Sequence, residues 1–83
     1  MENFPTLQDN QVALLRAESE TGHALDENHN LVLNDFQKVY TIFSDVNTAL
    51  LTAQKILKEN KSIECIIYDK DKAVLHYLTP GSI

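Results

Sequence analysis

The order of apolar periods along the chain predicts an α+β domain. The expected architecture is a mixed, mainly antiparallel sheet of about four to five strands, with one main helix over residues about 45–60 on one face, in the order β-β-β-α-β-β. Three observations carry this. Val46, Ala49, Leu50, Ala53, Ile56 and Leu57 form one apolar stripe at helical spacing. The segments flanking it, residues 38–44 and 62–69, alternate with period two and are rich in β-branched and aromatic residues. A polar stretch, Asp69-Lys-Asp-Lys72, then separates the second of these from another apolar run, residues 73–78, as in a hairpin.

Taken in order, residues 1–10 are polar, contain Pro5 and read as a flexible arm, from which Phe4 and Leu7 can dock on the body. Residues 11–79 form the single domain and 80–83 a tail. The run at 12–18 is ambiguous between helix and strand. It stops at Ser19–Gly22 after too few residues for a stable helix, so it reads as a strand. Val12, Leu14 and Arg16 would share one face; Ala13, Leu15 and Ala17 the other. Residues 20–22 turn, with Gly22 free to take positive φ. Residues 23–25 form a short strand and 26–30 a second turn; 31–33 resume extended structure.

The strand at 38–44 would place Val39, Thr41 and Phe43 on one face and Tyr40 and Ile42 on the other. Ser44 or Asp45 caps the helix, and Asn60 is expected as its left-handed stop. Leu51 lies off the stripe and is expected in solvent. In residues 62–69, Ile63, Cys65 and Ile67 face one way, and Glu64, Ile66 and Tyr68 the other. The last two strands are therefore apolar on both faces, whereas one helix covers only one. The arm or another molecule must cover the second.

Composition bounds the function. At 83 residues the chain makes one small domain. The single cysteine, Cys65, permits no internal disulfide, and no apolar leader or membrane-length run is present, which together predict a cytoplasmic protein. The net charge of −5 is uneven. Residues 1–35 carry seven acids against Arg16, for −6; residues 36–83 carry five acids against six lysines, for +1. The acidic half disfavours nucleic acid and anionic membrane as partners and favours a basic protein surface. With two glycines, Gly22 and Gly81, no phosphate-binding glycine loop can be built, and no cofactor is expected.

Candidate chemistry is sparse. Cys65 with His76 as base would make a nucleophile, but a thiol flanked by isoleucines is read as a buried hydrophobe. Asp69 and Asp71 resemble the start of a calcium loop, yet Ala73 and Val74 stand where further oxygen ligands and glycine are needed. His23, Asp26, Glu27 and His29 cluster within seven residues and would suit a divalent metal, although such residues also collect in turns. The preferred reading is a non-enzymatic protein-binding module or homodimer. Its contacts would be Glu18, Glu20, Asp26 and Glu27, with Tyr40, Tyr68 and Tyr77 as an aromatic patch. The alternative is a small metal-dependent hydrolase built on the His23/Asp26/Glu27/His29 cluster.

The segments Arg16-Ala-Glu, Gly22-His-Ala-Leu-Asp-Glu-Asn28, Val39-Tyr-Thr-Ile-Phe43 and Ile63-Glu-Cys-Ile-Ile-Tyr-Asp69 give the chain a further character. Over residues 12–78 it resembles a loose group of small bacterial α+β proteins with a strand–helix–strand–strand core and an E-C-x-I-Y-D strand. The resemblance implies an immunity or accessory role, and it carries over no catalytic residues.

Overall fold

The first apolar run becomes the spine of the sheet. The computed structural model describes residues 1–82, and in it β1 (Val12–Glu18) is bonded along both edges. A strand flanked on both sides and covered on both faces needs a near-continuous apolar run, which explains why Val-Ala-Leu-Leu, ordinarily good helix formers, are extended here. On one edge β1 pairs β4 (Ile63–Tyr68), with Leu14 opposite Ile67 and Arg16 opposite Cys65. Its other edge is shared end to end. β3 (Tyr40–Phe43) takes residues 12–15, and the two-residue β2 (Ala24–Leu25) takes Arg16 and Ala17. β5 (Val74–Leu78) pairs β4 and ends the sheet.

Every ladder is antiparallel. β3 and β4 run in the same direction because both oppose β1, which lies between them, so the helical crossover joins strands that do not touch. Residues 31–33 contribute only a single bridge, Leu25 to Leu31.

The helix α1 (Val46–Glu59) carries the expected stripe, and Ala49, Ala53, Ile56 and Leu57 are buried. Asp45 is its N-cap, accepting from the Thr48 N–H at 2.8 Å. Asn60 does not take the left-handed geometry expected of it. Its φ is −142°; its N–H donates to the Ile56 carbonyl, and its side-chain oxygen accepts from Ser62 N–H at 3.0 Å. Only three residues separate α1 from β4, and an extended residue leads straight into the strand. Against α1 pack Val12, Leu14, Leu25, Ile63, Cys65 and Ile67.

The opposite face is closed by the arm. Leu7, Ala13, Val39 and Tyr40 form a second buried cluster, with Phe4, Leu15, Val32 and Tyr68 packed around it. Phe4 stands edge-on to the rings of Tyr40 (centroids 5.3 Å) and Tyr68 (5.7 Å). The ammonium of Lys72 lies 5.8 Å from the Phe4 centroid. Val39 thus lies with Tyr40 rather than on the face of Thr41 and Phe43. The reason is visible in the backbone. The N–H groups of Val39 and Tyr40 both donate to Glu2 Oε1, at 2.9 and 3.0 Å. In a regular strand, successive amides point in opposite directions, so pairing begins only at Tyr40.

Substitutions should rank by burial. Ile67→Ala, at the centre of the helix-side core, should cost about 2–5 kcal/mol in urea unfolding. Phe4→Ala, which removes one half-buried anchor, should cost about 1–2 kcal/mol. Leu51→Ala on the outer face of α1 should change stability by less than ~0.5 kcal/mol.

Candidate functional site

A strand at the margin of a sheet presents unpaired backbone donors and acceptors, and proteins normally blunt such margins. The two margins of this sheet are treated differently. The margin made by β2 and β3 is blunted in three ways. Both strands are short. The entry into β3 is occupied by the Glu2 carboxylate. Beside β2 the chain folds back, with Val32 N–H donating to the Ala24 carbonyl.

The β5 margin has none of these devices. Among the described residues β4 is the only strand that pairs β5. The strand carries Val-Leu-His-Tyr-Leu without a charged residue or proline, and Val74 through Tyr77 are exposed. Its sole irregularity is a bulge: Ile67 opposes His76 while Tyr68 opposes Val74, leaving Leu75 extra. Val74 and Tyr77 therefore share the arm side of the sheet with Tyr68 and Ile66. Leu75 turns to the helix side, where it lines a groove of about 850 Å³ with Val12 and Val46. The helix packs mainly over β1, β3 and β4, and Leu78 of β5 joins the same core, so residues 74–77 overhang the helix. Val74 and Tyr77 remain 57% and 58% exposed, too much for core residues of a covered sheet. The arm seals the far face over β1, β3 and Tyr68 of β4 and leaves the strip formed by Val74 and Tyr77 of β5 open.

One polar contact orders that strip. Tyr77 Oη donates to Glu64 Oε2 at 2.6 Å. That hydrogen bond, with burial and the carboxylate's charge, raises the phenol above its ordinary value. The ring thus stands beside β4 as a fixed exposed platform.

The other expected site residues are spread over the molecule. Tyr40 is buried, so it belongs to the arm-side core, and Tyr68 is half-buried under Phe4. Glu18 accepts from the Thr21 hydroxyl at 2.7 Å, and Glu20 is exposed in the same turn. Asp26 is 7% exposed and organises its loop. Its Oδ1 accepts from the Asn28 and Asn30 amides, and its Oδ2 from Gln37 Nε2 at 2.8 Å. The Gln37 and Asn30 hydrogen bonds hold its carboxyl below the usual range. With both oxygens engaged, it is an interior brace. The same loop carries Leu33 and Phe36 in solvent, an exposure that nothing in the local sequence announced.

Glu27 is the exposed end of a relay that starts from a buried base. Arg16 is 6% exposed, and its Nη1 donates to Thr41 Oγ1 at 3.0 Å; the hydroxyl in turn donates to Glu27 Oε2 at 3.0 Å. Arg16 Nε is buried without a hydrogen-bond partner. Burial lowers the Arg16 pKa, against the opposing pull of Cys65, Glu27 and Asp26.

Among the described residues no group of three or more His, Cys, Asp or Glu side chains converges as metal ligands would, so His23, Asp26, Glu27 and His29 are not brought together as a centre. Cys65 is fully buried, and burial pushes its thiol up to about 11, which leaves it protonated and inert at neutral pH. Three of the aspartates around the groove are structurally engaged: Asp9 pairs with Lys70, Asp45 caps α1, and Asp69 Oδ1 accepts from the Asp71 and Ala73 amides.

No protein-family model matches the chain, and neither a curated protein nor a solved structure matches it. No helix among the described residues is long and apolar enough to cross a membrane.

The carboxylate that blunts the β3 margin makes the arm sensitive to acid. Burial alone would raise the Glu2 pKa, but the Tyr40 and Val39 amides and the Lys38 charge outweigh it and hold the group low. A lowered folded value means that its contribution is complete above the ordinary carboxylate range and is lost as pH falls through the lowered value. Glu2→Gln should therefore reduce Tm at pH 7 and flatten the acid limb of the Tm–pH curve below about pH 4.5. Calorimetry at stepped pH checks both.

Proposed function

We propose that the protein is a non-enzymatic interaction module that takes an extended segment of a protein partner onto β5 as an added strand. The observation that supports this is the contrast between the margins: one is blunted by a carboxylate, a returning loop and short strands, the other is bare, uncharged and apolar on both faces. Main-chain hydrogen bonds along about 17 Å of strand would give affinity, since a strand advances roughly 3.4 Å per residue. Val74 and Tyr77 on one face, and Leu75 on the other, would give selectivity by their neighbours. Glu18 and Glu20 lie at the end of the sheet where β5 finishes, because Glu18 opposes Ile63 and Leu78 opposes Cys65. A partner with basic residues beyond the added segment would gain in encounter rate there. An inhibitor or accessory role is the concrete form this reading takes.

In-cell photocrosslinking tests it. Tyr77→p-benzoylphenylalanine should form one discrete protein adduct, while the same residue replacing Leu51, exposed on α1, should not. Adding Leu75→Lys, which sets an ammonium on the margin, should abolish the adduct. Equal adducts from positions 77 and 51, or none from 77, would overturn the reading.

A further inference from the structure

Resting on that reading, we infer that the strand received by β5 is β5 of a second copy, paired antiparallel about a two-fold axis. Charge is the first argument. Each copy carries a net −5, so most surfaces of two copies repel, but Val74–Leu78 contains no Asp, Glu, Lys or Arg. The two-fold also decides what meets at the ends of the strands. Asp69, Lys70, Asp71 and Lys72 of one copy come beside Thr79, Pro80 and Gly81 of the other. A turn with two acids and two bases meets an uncharged tail, and no carboxylate faces its own counterpart across the axis. Pro80 lacks an N–H and ends the pairing there.

Shape is the second argument. A stable interface buries roughly 800 Å² per partner, more than a five-residue strand edge supplies alone. The shortfall can be met only by side chains flanking the edge, and here they are exposed on both faces. Val74 and Tyr77 extend the contact on the arm side; Leu75 and His76 extend it on the helix side, where both are exposed and only Leu78 of the strand joins the helix-side core. An isologous contact matches each of these apolar residues with an apolar surface of the same composition, without needing a second sequence.

Sedimentation over about two decades of protein concentration is the first measurement. The mass should rise from one chain to two. Mixed samples, half isotope-labelled, should show intermolecular NOEs between β5 backbone protons. Leu75→Lys and, independently, His76→Lys should return the protein to monomer with an unchanged Tm in the dilute state, which separates loss of pairing from loss of folding. A dimer that survives both substitutions, or intermolecular NOEs confined to another surface, overturns the inference. A monomer at every concentration also overturns it. In that case a position-77 crosslink of heterologous mass would leave strand addition standing with a different protein, whereas no crosslink would remove both.

Discussion

A single helix shields only one face of a sheet, and in this chain the opposite face is dry over β1 and β3 because residues 1–10 lie across it. Everything else follows from that second layer. Phe4 and Leu7 bury Ala13, Val39 and Tyr40, so β1 can be apolar along both faces and serve as the central strand. Glu2 fixes the layer by accepting two backbone amides, and the same contact ends the ladder at Tyr40. An arm without regular secondary structure thus acts as core material.

The arm also determines which surface is left over. It reaches as far as Tyr68 and stops, and α1 covers the other face only as far as β4. The two layers fall short on the same strand. That coincidence leaves Val74 and Tyr77 open on one side and Leu75 and His76 on the other, while Leu78 at the end of the strand packs against the helix-side core. The acid-rich turns lie mainly toward the opposite margin, and their carboxylates are largely spent on local work: Asp26 on its loop, Glu27 on Thr41, Glu18 on Thr21.

Local periodicity carried much of the fold. The stripe of α1, the in-and-out alternation of Ile63, Cys65 and Ile67, the Asp69 turn and the exposure of Leu51 are all properties of short windows, and each could be read from residue types alone. What failed were features set by distant partners. Val39 changes face because of a carboxylate 37 residues away. Asn60 stays extended because β4 follows at once. Asp26 looked like a surface acid, since no local signal shows that Gln37, eleven residues on, will return to its oxygens. The three tyrosines were indistinguishable by type; Tyr40 is interior and Tyr77 exterior because one strand adjoins β1 and the other ends the sheet. The need for a second cover could be deduced from apolar residues on both faces. Where that cover would run out could not, because strand order is not a local property.

The bulge at Leu75 has a geometric result of its own. Without the bulge, Leu75 would share the arm side with Tyr77, and Val74 would turn to the helix side with His76 and Leu78. The irregularity exchanges the faces of Val74 and Leu75: Val74 comes to stand with Tyr77 and Tyr68, and Leu75 turns over the groove beside Val46. A ligand strand lying alongside would be clasped from two directions, and sliding by one residue would forfeit both holds together. Under the proposed strand addition, a single irregularity of the backbone would thus decide which side chains an incoming strand meets on each surface.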